Sequence, residues 1–169
     1  MGNKKKVVVI DDEPEFCHMV KEVLEATGEY VVVTTSDPSQ AENTIRQATP
    51  DLILLDVVMP KRKGPDIIAA IKKDEALKRI PIIVISGKGE MIYDKKKHDF
   101  KWTPNNPVVK ERGTLPDMKG AEALAEAYGV MDYIAKPFPN QILIDVVKDV
   151  MTKVQKKKSV EDAGPAIET

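Results

Sequence analysis

Three aspartates carry the chemistry this sequence is equipped to do. Asp11 and Asp12 close the apolar run Val7-Val8-Val9-Ile10, and Asp56 closes a second run, Leu52-Ile53-Leu54-Leu55. A short apolar run ended by an acid reads as a buried strand that delivers a carboxylate to the edge of a sheet. If the two strands are parallel neighbours, all three carboxylates meet at one end. Like charges ~4 Å apart repel by roughly 4 kcal/mol at an effective dielectric near 20. Such a cluster needs a cation, and an all-oxygen ligand set suits Mg²⁺.

The elements that must position these acids alternate between strand and helix patterns, which implies an α/β fold with a parallel sheet and helices on both faces. Strands are expected at about 6–11, 30–35, 51–56, 82–86 and 130–135. The first helix is opened by Pro14, carries Phe16, Met19, Val20, Val23 and Leu24 on one stripe, and stops at Gly28. Asp37-Pro38 starts a second helix with Ala41, Ile45 and Ala48 inward, and a third carries Ile67, Ile68 and Ile71. From Gly87 to about Met118 no clear period holds, and a short helix near 90–97 is left open. A helix near 119–128 ends at Gly129, and the last runs from about Pro139 to Lys156. Residues 159–169 read as a frayed polar tail.

Composition narrows the function classes. The chain has 169 residues, 42% hydrophobic and 31% charged, as expected for one globular domain. A formal net charge of -1 argues against a nucleic-acid-coating or membrane-surface protein. Lys4-Lys5-Lys6 and Lys156-Lys157-Lys158 read as solvated flanks. Cys17 is the only cysteine, so no intramolecular disulfide forms and a reducing compartment fits. No transmembrane run or cleavable leader is evident, and a cytoplasmic location is expected. His18 and His98 are too isolated to make a metal site.

Doubly wound sheets bind ligands beyond the carboxyl ends of their strands. The polar residues there are Asp11, Asp12, Asp56, Ser86 and Lys136. Two acids would hold a divalent cation, and the remaining carboxylate is open to being a nucleophile or a third ligand. The hydroxyl and the ammonium suit phosphoryl oxygens. Each has a plainer reading when taken alone. Asp11 or Asp12 serves as a helix cap, Ser86 as a strand end, Tyr133 as half-buried packing, Lys136 as a solvated charge, and Gly64 as a left-handed turn.

Taken in order, the residues resemble the receiver domain of two-component response regulators, of the single-domain chemotaxis-regulator-like type. The matching motifs are Ile10-Asp11-Asp12-Glu13, Leu55-Asp56-Val57-Val58-Met59-Pro60, Gly64, Ser86-Gly87 and Tyr133-Ile134-Ala135-Lys136-Pro137-Phe138. The resemblance implies a flavodoxin-like five-stranded parallel sheet in the order 2-1-3-4-5. It implies a receiver domain over 5–156, a long insertion at about 87–118 between strand 4 and helix 4, and a tail at 157–169. Asp56 would be the phospho-acceptor for a histidine kinase or a histidine phosphotransfer protein. Asp12, Asp56 and the Val58 carbonyl would bind Mg²⁺ directly, with Asp11 acting through water. Lys136 would pair with Asp56 and then with its phosphate, and Ser86 would hydrogen-bond a phosphoryl oxygen. Ser86 and Tyr133 would switch conformation on phosphorylation, and Lys136-Pro137 would be a cis peptide.

Two departures stand out. The stretch 87–118 carries Trp102, Tyr93, Phe100 and Lys95-Lys96-Lys97-His98, and leaves the strand at Ser86. It reads either as a lid or docking arm, or as a surface excursion packed on the domain's own flank. Val58 and Lys88 occupy positions that, in the family, influence loss of the phosphate. An apolar Val58 cannot position water, so slow self-dephosphorylation is expected.

The expectation is a non-enzymatic signalling receiver in a two-component system or phosphorelay. Too few residues follow the last helix for an output domain, so output would pass through protein contact or phosphotransfer. Nucleic acid and membrane are not expected as partners, and the chain would be a monomer or transient homodimer. A haloacid-dehalogenase-like phosphatase is the rival, although that family wants a second Asp where Val58 stands. A nucleotide or flavin binder is a weaker rival, because no Gly-rich loop follows the first strand.

Overall fold

The computed structural model describes residues 3–86, 90–94, 99–103 and 129–162. Five strands make one sheet: β1 (Lys5–Ile10), β2 (Tyr30–Thr35), β3 (Leu52–Asp56), β4 (Ile82–Ser86) and β7 (Asp132–Ala135). Their order is β2-β1-β3-β4-β7, and every pair is parallel. This is the expected 2-1-3-4-5 order, with β7 as the fifth strand of the sheet. Strands β1 and β3 pair in the register Val8↔Ile53 and Ile10↔Leu55, so their carboxyl ends finish side by side.

Alternating side chains of the central strands feed two cores. Val7, Val9, Leu52 and Leu54 pack with residues of α1 (Pro14–Ala26) and α4 (Asn140–Asp162), such as Leu24 and Val147. Val8, Ile10, Ile53 and Leu55 pack on the other face with α2 (Ala41–Ala48) and α3 (Gly64–Lys73), through Ile45, Ile67 and Ile71. Burial on both faces is why these strands read as unbroken apolar runs. Each such side chain contributes roughly 1.5–3 kcal/mol on burial, so the ends of β1 and β3 rest on firmly packed strands.

Helix boundaries follow local chemistry. Pro14 opens α1, and Gly28 (φ +78°) closes it with its N–H donating to the Glu25 carbonyl at 3.0 Å. Asp37 caps a short 3-10 turn, Pro38–Gln40, which leads into α2. Lys5 and Lys6 belong to β1 rather than to a solvated flank. Lys5 pairs with Asp51 at 3.4 Å, and the Lys6 ammonium donates to the Ala48 carbonyl at 2.7 Å.

Two expected elements also differ in the structure. Instead of a short helix near 90–97, β5 (Glu90–Asp94) and β6 (Asp99–Thr103) form a separate two-stranded antiparallel sheet, with Tyr93↔Phe100 and Met91↔Trp102 in register. Aromatic and β-branched residues favour strands, and so short a segment cannot sustain an isolated helix. The last helix continues past Lys156 to Asp162, through part of the expected tail. Adding Lys and Glu to a helix already nucleated by its packed turns costs little. The expected helix near 119–128 lies outside the described residues. No described helix is long and apolar enough to cross a membrane.

Candidate functional site

The register of β1 against β3 brings the sequence-predicted acids together. A carboxylate oxygen from each of Asp11, Asp12 and Asp56 lies within 4.8 Å of the others. Asp11 and Asp56 are buried, and Asp12 is half-buried. Asp11 does not cap α1. That N-cap is Glu13, which makes no side-chain cap, and the Glu13 N–H donates to Asp11 Oδ1 at 2.9 Å. The Val58 N–H donates to Asp56 Oδ1, also at 2.9 Å. Among the described residues none donates to the Asp12 carboxylate.

Electrostatics follow from this crowding. Burial, and then the Asp11 charge, push the Asp56 carboxyl up to about 6, against the pull of the Val58 N–H and Lys136. Burial also raises Asp11, although Lys136 and the Glu13 N–H oppose it. Cys17, in the first turns of α1, is buried and donates its thiol to the Asp11 carbonyl at 3.3 Å. Burial, then the Asp11 charge, push that thiol up to about 11.

Lys136 enters from the end of β7, where Lys136-Pro137 is cis. Its Nζ lies 2.6 Å from Asp11 Oδ2, 3.6 Å from Glu13 Oε1 and 3.7 Å from Asp56 Oδ2. The expected pairing with Asp56 is thus secondary to one with Asp11. Burial lowers the Lys136 pKa, but the hydrogen bond and charge of Asp11 outweigh it, and the ammonium stays above its ordinary range. The Phe16 ring lies under this ammonium, with its centroid 3.7 Å from Nζ.

The loop from β3 to α3 is held close to Asp56. A Cβ on Gly64 would stand 2.3 Å from the Val57 Cα, and the Gly64 N–H donates to the Val57 carbonyl at 3.2 Å. Gly64 therefore serves a close backbone approach, not the left-handed turn that was the alternative. The two terminal guanidinium nitrogens of Arg62 donate to the Glu42 carboxylate, at 2.6 and 2.5 Å, and tie the loop to α2.

Val58 turns its side chain outward, 45% exposed. Ser86 ends β4 opposite Ala135, next to Lys136 in the chain; its side chain and all of Lys88 lie outside the described residues. Tyr133 is buried rather than half-buried, in the core of Val57, Met59 and Val84. His18 is a surface residue 3.3 Å from Glu22, and His98 lies outside the described residues. Phe16 and the Arg62–Glu42 pair were not singled out from sequence, and Glu13 entered only as the last residue of the Ile10-Asp11-Asp12-Glu13 motif. Phe16 was visible only as one member of a helical stripe, and nothing in the local pattern marked the Arg62–Glu42 pair.

The donor set fits a hard divalent cation. Three carboxylates converge, two of them held above the usual carboxylate range by burial, and no soft or nitrogen ligand is among them. The Asp11 oxygens already accept from Glu13 and Lys136. Asp12 and Asp56 retain more open coordination. The same group of acids beside an ammonium also suits a phosphoryl group, which needs both a carboxylate and a cationic partner.

The comparisons with known proteins agree with this geometry. Residues 7–101 match the family model described as response regulator receiver domain. Phosphate regulon transcriptional regulatory protein PhoB of Pseudomonas aeruginosa is 30% identical over 149 residues, covering 88% of this chain and 52% of that protein. Hybrid signal transduction histidine kinase D of Dictyostelium discoideum is 28% identical over 160 residues, covering 95% of this chain and 8% of that protein. The chain thus spans about half of the first relative and a small part of the second. Two solved structures share the fold. Chemotaxis protein CheY4 of Vibrio cholerae has a TM-score of 0.63 at 24% identity, over 88% of this chain and 99% of that one. NtrX of Brucella abortus has a TM-score of 0.70 at 22% identity, over 95% of this chain and 30% of that one. With the matched segment running from the first strand through the site-bearing ends of β1 and β3, this chain belongs to the response regulator receiver domain family.

Proposed function

We propose that this receiver accepts a phosphoryl group on Asp56 from the phosphohistidine of a histidine kinase or a histidine phosphotransfer protein. The observation that carries the reading is the meeting of the Asp11, Asp12 and Asp56 carboxylates within 4.8 Å, with the Lys136 ammonium against them. With its carboxyl pushed up to about 6, Asp56 is ionised at neutral pH and available as a nucleophile. A carboxylate oxygen attacks phosphorus, the P–N bond to the donor imidazole breaks, and an acyl phosphate forms as the imidazole leaves with a solvent proton. Asp12, Asp56 and the Val58 carbonyl would hold Mg²⁺, with Asp11 reaching it through water. When bound, the ion supplies positive charge that offsets repulsion between the carboxylates and the phosphoryl oxygens. Lys136 shifts from Asp11 toward the new phosphate, and Ser86 donates to a phosphoryl oxygen.

Phosphorylation adds roughly -1.5 to -2 charges by analogy with hydroxyl phosphates, and this biases a two-state equilibrium of the Ser86 strand end and Tyr133. Output passes through the face around Tyr133 to a protein partner, or by onward phosphotransfer, in the cytoplasm and without nucleic acid. The receiver unit is assigned to 5–156 with an insertion at about 87–118. Membership of the receiver family favours this reading over the haloacid-dehalogenase-like phosphatase. Incubation with a small acyl phosphate and Mg²⁺, read by mass, tests it. One phosphoryl group per chain is expected, and none on Asp56→Asn. Catalytic phosphate release without an adduct would favour the phosphatase.

A further inference from the structure

We infer that Phe16 is a positioning residue for Lys136, holding the ammonium against its ring face so that the charge can pass from Asp11 to a phosphoryl group on Asp56. This rests on the proposed role of Asp56.

The ring centroid lies 3.7 Å from Lys136 Nζ, well inside the range of a cation–π contact. The ring is itself fixed from a second direction. It meets Phe138 edge to face, with centroids 6.0 Å apart and planes at 86°. One side chain of α1 therefore grips both ends of the Lys136-Pro137-Phe138 segment. Among the described residues, the acids that face the ammonium are Asp11, Glu13 and Asp56.

These contacts differ in how they respond to the proposed reaction. Ionisation, metal binding and phosphorylation all change the charge on the acids around Nζ. The ring face does not titrate, and its attraction persists throughout. With Phe16 below it, the Lys136 side chain is only 15% exposed. An ammonium shielded from water pairs more strongly with an incoming anion. Nζ stands 3.7 Å from Asp56 Oδ2, so a displacement of about 1 Å brings it to charge-assisted hydrogen-bond distance. An aliphatic residue at position 16 would fill the helical stripe without supplying the ring.

The test compares wild type with Phe16→Leu and Phe16→Tyr. Lysine ε-methylene protons are followed by NMR, with the Lys136 signal assigned from Lys136→Arg. Phosphorylation by a small acyl phosphate with Mg²⁺ is followed as the rate at saturating donor, separately from donor KM. The expected result is an upfield Lys136 signal in wild type, lost in Phe16→Leu and kept in Phe16→Tyr. The saturating rate should fall roughly three- to tenfold in Phe16→Leu and recover in Phe16→Tyr, with Tm and Mg²⁺ affinity near wild type. An unshifted wild-type signal, or a Phe16→Leu rate equal to wild type, overturns the inference. If Phe16→Leu does not fold, the wild-type shift and the Phe16→Tyr rate decide, and a slow Phe16→Tyr with wild-type stability overturns it. A shifted signal in a wild type that takes up no phosphoryl group defeats the acceptor role of Asp56 and the transfer role of Phe16 together, whereas loss of rate without a shift defeats Phe16 alone.

Discussion

The Lys136 ammonium is bonded to Asp11, not to Asp56: Nζ lies 2.6 Å from Asp11 Oδ2 and 3.7 Å from Asp56 Oδ2. Asp11 is 1% exposed on its side chain, so Lys136 neutralises a carboxylate shielded from bulk solvent. Removing Lys136 leaves that charge unpaired among like charges. Lys136→Ala is therefore expected to lose about 2 kcal/mol of stability without metal. It should also bind Mg²⁺ several-fold more tightly, since the ammonium repels the ion. Urea unfolding and calorimetric titration with Mg²⁺ check the two effects. Unchanged stability together with weaker Mg²⁺ binding would contradict this account.

Asp56 gives the metal-free protein a pH dependence. Its folded pKa of about 6 exceeds the ordinary value of 3.8. Between these values the native state binds more protons than the unfolded chain. The contribution of Asp56 to stability therefore falls as pH rises through about 4 to 6 and is flat above. The shift corresponds to a cost on the order of 3 kcal/mol for the ionised group. Asp56→Asn should stabilise the metal-free protein above pH 6, and the difference should vanish toward pH 4. Denaturation at several pH values measures it; equal stabilities at pH 7 would refute it. Mg²⁺ affinity should drop below about pH 6 as protons compete for Asp56.

Gly64 is expected to be intolerant of even one methyl group. Its Cβ would stand 2.3 Å from the Val57 Cα and 2.7 Å from Cγ1. Backbone must move, at a cost of about 1–3 kcal/mol. Because Val57 lies between Asp56 and Val58, Gly64→Ala should also weaken Mg²⁺ binding. Wild-type Tm and metal affinity in this variant would show that the loop absorbs the methyl freely.

The exposed Val58 side chain governs how long the phosphate lasts under the proposed function. It carries no group that can orient a water molecule, whereas an asparagine amide offers both donor and acceptor. Val58→Asn should shorten the lifetime of the acyl phosphate several-fold with little change in Tm, since position 58 is 45% exposed. Phosphate release after removal of the donor provides the measurement. A longer lifetime in Val58→Asn would reverse the assignment.

Much of the fold was legible because it is written in local patterns. Apolar runs ending in acid specify strands buried on both faces, and the alternation with helices specifies a parallel sheet. That was enough to name Asp11, Asp12, Asp56 and Lys136 as residues of one site. A helix near 90–97 was left open because so short an apolar run as Met91-Ile92-Tyr93 fits either period, and pairing of 90–94 with 99–103 decides in favour of a strand. The end of the last helix was misplaced because a charged stretch carries no apolar stripe to mark where it stops.

What the sequence determined by itself is the kind of chemistry, since carboxylate, hydroxyl and ammonium at successive strand ends follow from residue type and order. Tertiary structure decided which partner each group takes. Lys136 is 125 residues from Asp11, and its choice of Asp11 over Asp56, its seat on the Phe16 ring and the approach of Gly64 to Val57 arise only when separate elements pack. These are differences of about an ångström between non-local atoms, and Coulomb and contact energies at a buried site change steeply over that distance, while sequence spacing does not encode it.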